Sequence, residues 1–159
     1  MKQSTFSDFE YGGRKHITKR ESFLNCMDAL LPFDKWTEAL LPHYHKGKVG
    51  RPPRNMEILL RMFLLKEWFS LDEKKIEDAI SDSYSFRKFV GVNFIAEQIP
   101  SRSTFKRFQT LMLKHGMKEM ILLDTTALLQ EKGYTLTLGT ITEAALCTKF
   151  SKRLVSTVK

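Results

Sequence analysis

The side chains here with an evident chemistry are the basic ones, and they fall into three groups. Arg14 and Lys15 stand with His16, Lys19 and Arg20 behind the pair Gly12-Gly13. Lys46, Lys48, Arg51 and Arg54 form a second group with no acid among them. Arg102, Lys106 and Arg107 recur at helical spacing, with Gln109 and Lys114 beyond them. A guanidinium presents a planar fork of donors that fits a phosphate or the O6/N7 edge of guanine, whereas an ammonium acts mainly as a point charge. Such groups bind polyanions. The whole chain leans the same way. It has 26 Lys and Arg against 18 Asp and Glu, a net charge of +8 and a pI near 9.5, the footprint that points to nucleic acid.

Other reactive types lack the company they need. His43-Tyr44-His45 places two histidines close together, but no third ligand stands near them and two do not make a zinc site. That stretch reads as a loop. Asp72, Glu73, Glu77, Asp78 and Asp82 read as the solvated face of a helix, one that phosphates would repel. Cys26 and Cys147 are far apart and match no ligand spacing, so both read as reduced cytosolic thiols. There is no Walker loop, no paired Cys/His spacing and no serine elbow. Met1-Lys2-Gln3-Ser4-Thr5 is polar and leads into no apolar h-region, so no secretory signal is expected.

The elements that position these groups read as helices. Residues 1–20 are a basic arm, suited to a DNA backbone or minor groove or simply solvated. From Glu21, the residues Phe23, Leu24, Met27, Leu30 and Leu31 form one apolar face that Pro32 ends. Asp34 opens a second helix, carrying Trp36, Leu40 and Leu41, and Pro42 closes it. Gly50-Arg51-Pro52-Pro53 breaks the chain, because each proline lacks an N–H and Pro53 bars Pro52 from the α region. Asn55 then caps a helix to Phe69 that is apolar nearly all round, as a central helix must be. Ser70 and Glu73 spell a capping box for a helix from Leu71 to about Ser81. Ser83 caps a short helix, Tyr84 to Val90, which Gly91 terminates. After a loop from Asn93 to Pro100, a helix starts at Ser101 or Ser103 and runs to about His115. Phe105, Phe108, Leu111 and Met112 face inward on it, and the basic residues and Gln109 face outward. Met117 to Lys132 is one more helix, with Met120, Ile121, Leu123, Ala127 and Leu128 as its apolar stripe and Gly133 as its stop. Tyr134-Thr135-Leu136-Thr137-Leu138 then alternates like a strand. The expected fold is mainly α: a helical bundle with a helix-turn-helix-like arrangement and a short C-terminal β segment. In that arrangement Arg102, Lys106 and Arg107 would meet the major groove.

The order and spacing of several stretches resemble a known family, though no single stretch is specific. They are Phe6–Tyr11, Met27–Pro32, Gly50–Pro53, Glu57–Met62, Lys66–Leu71, Ile76–Ile80, Ser85–Gly91 and Ile99–Phe105. Together, over roughly residues 5 to 145, they resemble the N-terminal region of bacterial insertion-sequence transposases of the DDE type. The resemblance implies a DNA-binding domain over 21–132. It also implies, over 133–159, the truncated first strand of an RNase-H-like catalytic domain followed by a basic tail. In such enzymes that strand carries the first of three metal-binding aspartate or glutamate residues, and Mg²⁺ serves the complete enzyme. Glu143 stands at that position in place of aspartate, and the other two acids would lie beyond residue 159. A two-metal site needs carboxylates from several elements, so this chain alone is expected to bind no metal and cut no DNA. The implied partner is double-stranded DNA at transposon ends, with the chain itself or a full-length transposase as a second partner. The implied setting is the bacterial cytoplasm, at the nucleoid. Three alternatives stay open: an upstream frame completed by frameshifting into an active transposase, a fragment that restrains intact transposase by pairing with it, and a remnant without function.

Overall fold

A computed structural model describes residues 6–44, 56–93 and 98–132, and the description below concerns these. They form eight helices and no strand. The helices are α1 (Phe6–Gly12), α2 (Lys19–Leu30), α3 (Phe33–Tyr44), α4 (Met56–Phe69), α5 (Ile76–Asp82), α6 (Tyr84–Val90), α7 (Arg102–Lys114) and α8 (Met117–Glu131). The expected strand at Tyr134–Leu138, Glu143, and the basic group Lys46, Lys48, Arg51 and Arg54 lie outside the described residues.

Helix α4 is the centre. Nine of its side chains are buried, from Met56 to Trp68 and on every face. Helices α3, α6 and α7 pack on it, α2 and α5 pack on α6, and α8 packs on α7. Aromatic edges lock the layers: Phe23 of α2 meets Trp68 of α4 at 5.5 Å, and Phe33 of α3 meets Phe89 of α6 at 6.1 Å.

The central helix itself carries a largely enclosed charge, Arg61, whose side chain is 13% exposed. Its Nε donates to Glu57 and its Nη1 to Asp28 of α2 and to the Phe89 carbonyl of α6. Its guanidinium lies 3.9 Å from the Phe33 ring centroid. One side chain thus joins four helices, with its donors met by carboxylates, a carbonyl and a π face.

Several helix ends differ from the sequence expectation. Helix α2 begins at Lys19, because Thr18 accepts from the Glu21 N–H at 3.1 Å and supplies an N-cap ahead of Glu21. Helix α3 runs through Pro42 to Tyr44. Its last turn is held from outside, since His43 stacks on His115 at 3.9 Å and Tyr44 meets Phe108 edge-on. Ser70 does not start α5. It sits at φ +50°, and the Leu71 N–H reaches back to the Lys66 carbonyl at 3.0 Å. That is the closing geometry of α4, with serine where glycine is usual. With Ser70 committed to α4, the chain turns at Asp72–Lys75 and α5 begins at Ile76. Ser83 and Gly91 bound α6 as the sequence predicts: Ser83 accepts from the Phe86 N–H, and Gly91 lies at φ 80°.

Helix α8 is rotated from its expected stripe. Met117, Ile121, Thr125 and Leu129 face the core, while Leu123 is 69% exposed. Thr125 enters the core because its hydroxyl donates to the Ile121 carbonyl at 2.7 Å. The Trp36 indole donates to Asp124 at 3.0 Å and ties α8 to α3. No described helix is long and apolar enough to cross a membrane.

Candidate nucleic-acid interface

Three aromatic or sulfur-bearing side chains fix the rotation of α7. Phe105, Phe108 and Met112 are buried against α4 and α8 at successive turns. The opposite side therefore faces water. Arg102, Lys106 and Arg107 are exposed there, and none makes an ion pair among the described residues. Arg102 and Lys106 are one turn apart, about 6 Å along the axis. Ser101 occupies the N-cap position, but its hydroxyl meets those of Ser103 and Thr104 and caps no backbone N–H. This edge presents long cationic side chains and small hydroxyls, with no counter-charge paired to them among the described residues.

Gln109 departs from the expected outer face. It is 8% exposed. With its amide turned so that nitrogen meets carboxylate and oxygen meets ammonium, it donates to Glu73 at 2.7 Å and accepts from Lys66 at 3.2 Å. A buried amide needs both partners satisfied, and the C-terminal end of α4 and the turn before α5 supply them.

The N-terminal basic group is only partly available. Arg14 is bound, to Glu21 at 2.8 Å and to the Tyr11 carbonyl at 3.1 Å, and its guanidinium lies 4.3 Å from the Tyr11 ring centroid. Glu21, 6% exposed, also takes Lys88 of α6 at 3.3 Å. Lys15 is exposed. Arg14 and Lys15 thus sit where α1 turns into α2, beside α6, whereas α7 docks on α4 and α8. No described contact joins the two groups.

Sequence reasoning missed the Glu21 cluster, although a signal was present. Thr18-Lys19-Arg20-Glu21 has the Ser/Thr-x-x-Glu form of a helix start, and that start carries Glu21 inward. Burial pushes the Cys26 thiol and the Tyr44 hydroxyl above their usual ranges, which keeps both protonated at neutral pH.

The family model described as "Transposase domain (DUF772)" matches residues 13–111. The chain belongs to that transposase-domain family. The matched segment starts at Gly13, just after α1, and ends at Leu111, within α7. It therefore holds the central helix α4, the Glu21 cluster and the exposed Arg102, Lys106 and Arg107 of α7. No solved structure matches the chain.

Proposed function

We propose that this transposase domain is the DNA-binding N-terminal part of an insertion-sequence transposase and recognises the element's terminal inverted repeats during DNA transposition. The observation that carries the reading is α7. Phe105, Phe108 and Met112 anchor its apolar side, so Arg102, Lys106 and Arg107 are held outward and pair with no carboxylate among the described residues. Cations preorganised in this way gain the most from phosphate and from base edges. In this reading α7, packed on α4, is the reading helix of a helix-turn-helix-like arrangement, with its first turn entering the major groove. Phosphates are positioned by Lys106 and Arg107, and by Lys15 where the duplex runs past α1.

The test is selection of bound duplexes from a random-sequence DNA pool. Recovery of one motif that also occurs, inverted, at both ends of the element supports the proposal. Recovery of a pool no different in sequence from the input refutes end recognition, even if the protein binds DNA.

A further inference from the structure

Arg14 and Lys88 stand on different elements, yet both are engaged by one carboxylate. Arg14, in the turn after α1, donates from Nη2 to Glu21 Oε2 at 2.8 Å, and Lys88 of α6 donates to Glu21 Oε1 at 3.3 Å. Each carboxylate oxygen thus has its own cation. Arg14 is held further, by the Tyr11 carbonyl on its Nε and by the Tyr11 ring beside its guanidinium. Tyr11 is itself fixed, stacked on Tyr84 with ring centroids 3.9 Å apart. Glu21 stands in the first turn of α2, where the acid of a capping box would reach back to the N-cap N–H. Its two oxygens instead meet Arg14 and Lys88.

Burial decides which partner these cations keep. The Glu21 side chain is 7% exposed, against 32% for Arg14 and 46% for Lys88. A phosphate that drew either cation outward would leave a buried carboxylate short of a partner, and an uncompensated buried charge is costly. A phosphate that takes an unpaired surface cation meets no such cost. Arg102, Lys106 and Arg107 of α7 are of that kind, exposed and paired with no carboxylate among the described residues. Cations of the same chemistry are therefore held back on one side of the molecule and offered on another.

We propose that Glu21 is an internal counter-ion that withholds Arg14 and Lys88 from DNA and so concentrates duplex binding on α7. This role rests on α7 being the DNA-reading helix. Glu21 touches no DNA in it and acts only through the two cations it holds. Phosphate contacts strengthen the binding of any duplex, whereas sequence is read at the base edges. A duplex held by Arg14 and Lys88 in place of α7 would be held without being read. By engaging both, Glu21 removes a competing mode and serves as a specificity determinant.

The probe is a random-sequence duplex, titrated against the full chain at several salt concentrations, with the fold of each variant checked by thermal melt. Glu21→Gln keeps the shape and reach of the side chain and removes its charge. The slope of log affinity against log salt should steepen by about 0.9–1.8, roughly 0.9 for each cation released. Glu131→Gln, at an exposed acid ending α8, raises the net charge of +8 by the same single unit and should leave the slope as in the wild type. Combining Arg14→Gln, Glu21→Gln and Lys88→Gln should also return the wild-type slope, since the two cations contribute nothing while held. Lys88→Gln alone removes a half-exposed side chain and leaves Arg14 on Glu21, so it should keep both fold and slope. It decides the matter if Glu21→Gln does not fold. A folded Glu21→Gln protein with an unchanged slope overturns the proposal, as does a steepening shared by Glu131→Gln. A Lys88→Gln slope shallower by about 0.9 does the same, because Lys88 would then already be on DNA. If the wild type binds no duplex while Glu21→Gln binds it, α7 is not a DNA-binding helix but Glu21 does withhold its cations. If neither binds, both proposals fail.

Discussion

Two arginines show how little the residue type says without its surroundings. Arg61 and Arg102 carry the same group, yet Arg61 is enclosed by Glu57, Asp28 and the Phe89 carbonyl while Arg102 faces water. Replacing Arg61 by Ala removes its bonds to Glu57, Asp28 and the Phe89 carbonyl and a ring contact. The cost should be about 2–4 kcal/mol, below that of a fully buried pair because Asp28 and Glu57 keep some water. Urea unfolding at constant m-value measures it. Arg61→Lys should recover little, since a point charge cannot serve three acceptors in different directions. Arg102→Ala should leave stability within about 0.5 kcal/mol, as at an ordinary surface site, and act on binding. Our expectation, as a hypothesis, is that it costs about 1–3 kcal/mol on the selected motif and much less on random duplex. Lys106→Ala should weaken both alike. An Arg102→Ala protein with an unchanged ratio of the two affinities would show that this side chain reads no base.

At the level of helices, the interiors were legible in the sequence and the ends often were not. Helix α4 was clear because an apolar run on every face has one packing solution. Helix α6 was clear because Ser83 and Gly91 each have one local role, and the structure uses both. Ser70 had two roles, closing α4 or opening α5, and the sequence around it favoured the wrong one. What decided it was the Leu71 N–H reaching Lys66, a contact that no residue type announces. The stripe of α8 was misplaced because Leu123 is apolar and Thr125 is not. The threonine hydroxyl satisfied itself on its own helix, which removed the penalty for burying it. Gln109 was put on the wrong side of α7 for a similar reason, since its partners, Glu73 and Lys66, are distant in sequence. The outward placement of Arg102, Lys106 and Arg107 was legible, because Phe105, Phe108 and Met112 leave that face no alternative. Ser70 gives an element-scale prediction. A non-glycine residue at φ +50° costs about 1–2 kcal/mol, and glycine gives back part of that in unfolded-chain freedom. Ser70→Gly should therefore stabilise the protein by up to about 1 kcal/mol, read as a rise in melting temperature. A loss of stability would mean that the serine side chain contributes more at this site than its backbone strain costs. Thr18→Ala should go the other way, by about 1 kcal/mol, through the lost cap of α2.

For the whole molecule the question is whether DNA affinity comes from a net charge of +8 or from the place where the free cations stand. Both give binding that weakens with salt, so a salt titration of the wild type alone cannot separate them. Each phosphate neutralised contributes about 0.9 to the slope of log affinity against log salt. If Arg102, Lys106 and Arg107 each neutralise one, they account for a slope of roughly −2.7, or about a forty-fold loss between 50 and 200 mM salt. Replacing all three by alanine lowers the net charge from +8 to +5. Replacing Lys74, Lys75 and Lys132, which are exposed on other elements, lowers it by the same amount. A long-range field set by net charge would treat the two triple variants alike, because each loses three charges, and it would fade as salt shortens the screening length to about 10 Å at 0.1 M. Direct contact would not. We therefore expect the α7 triple variant to lose about 2.7 units of slope. The control should keep the wild-type slope and lose only a little affinity at low salt. Equal slopes in the two variants would mean that the basic side of α7 is one cationic surface among several, and that the reading helix has to be sought on another element.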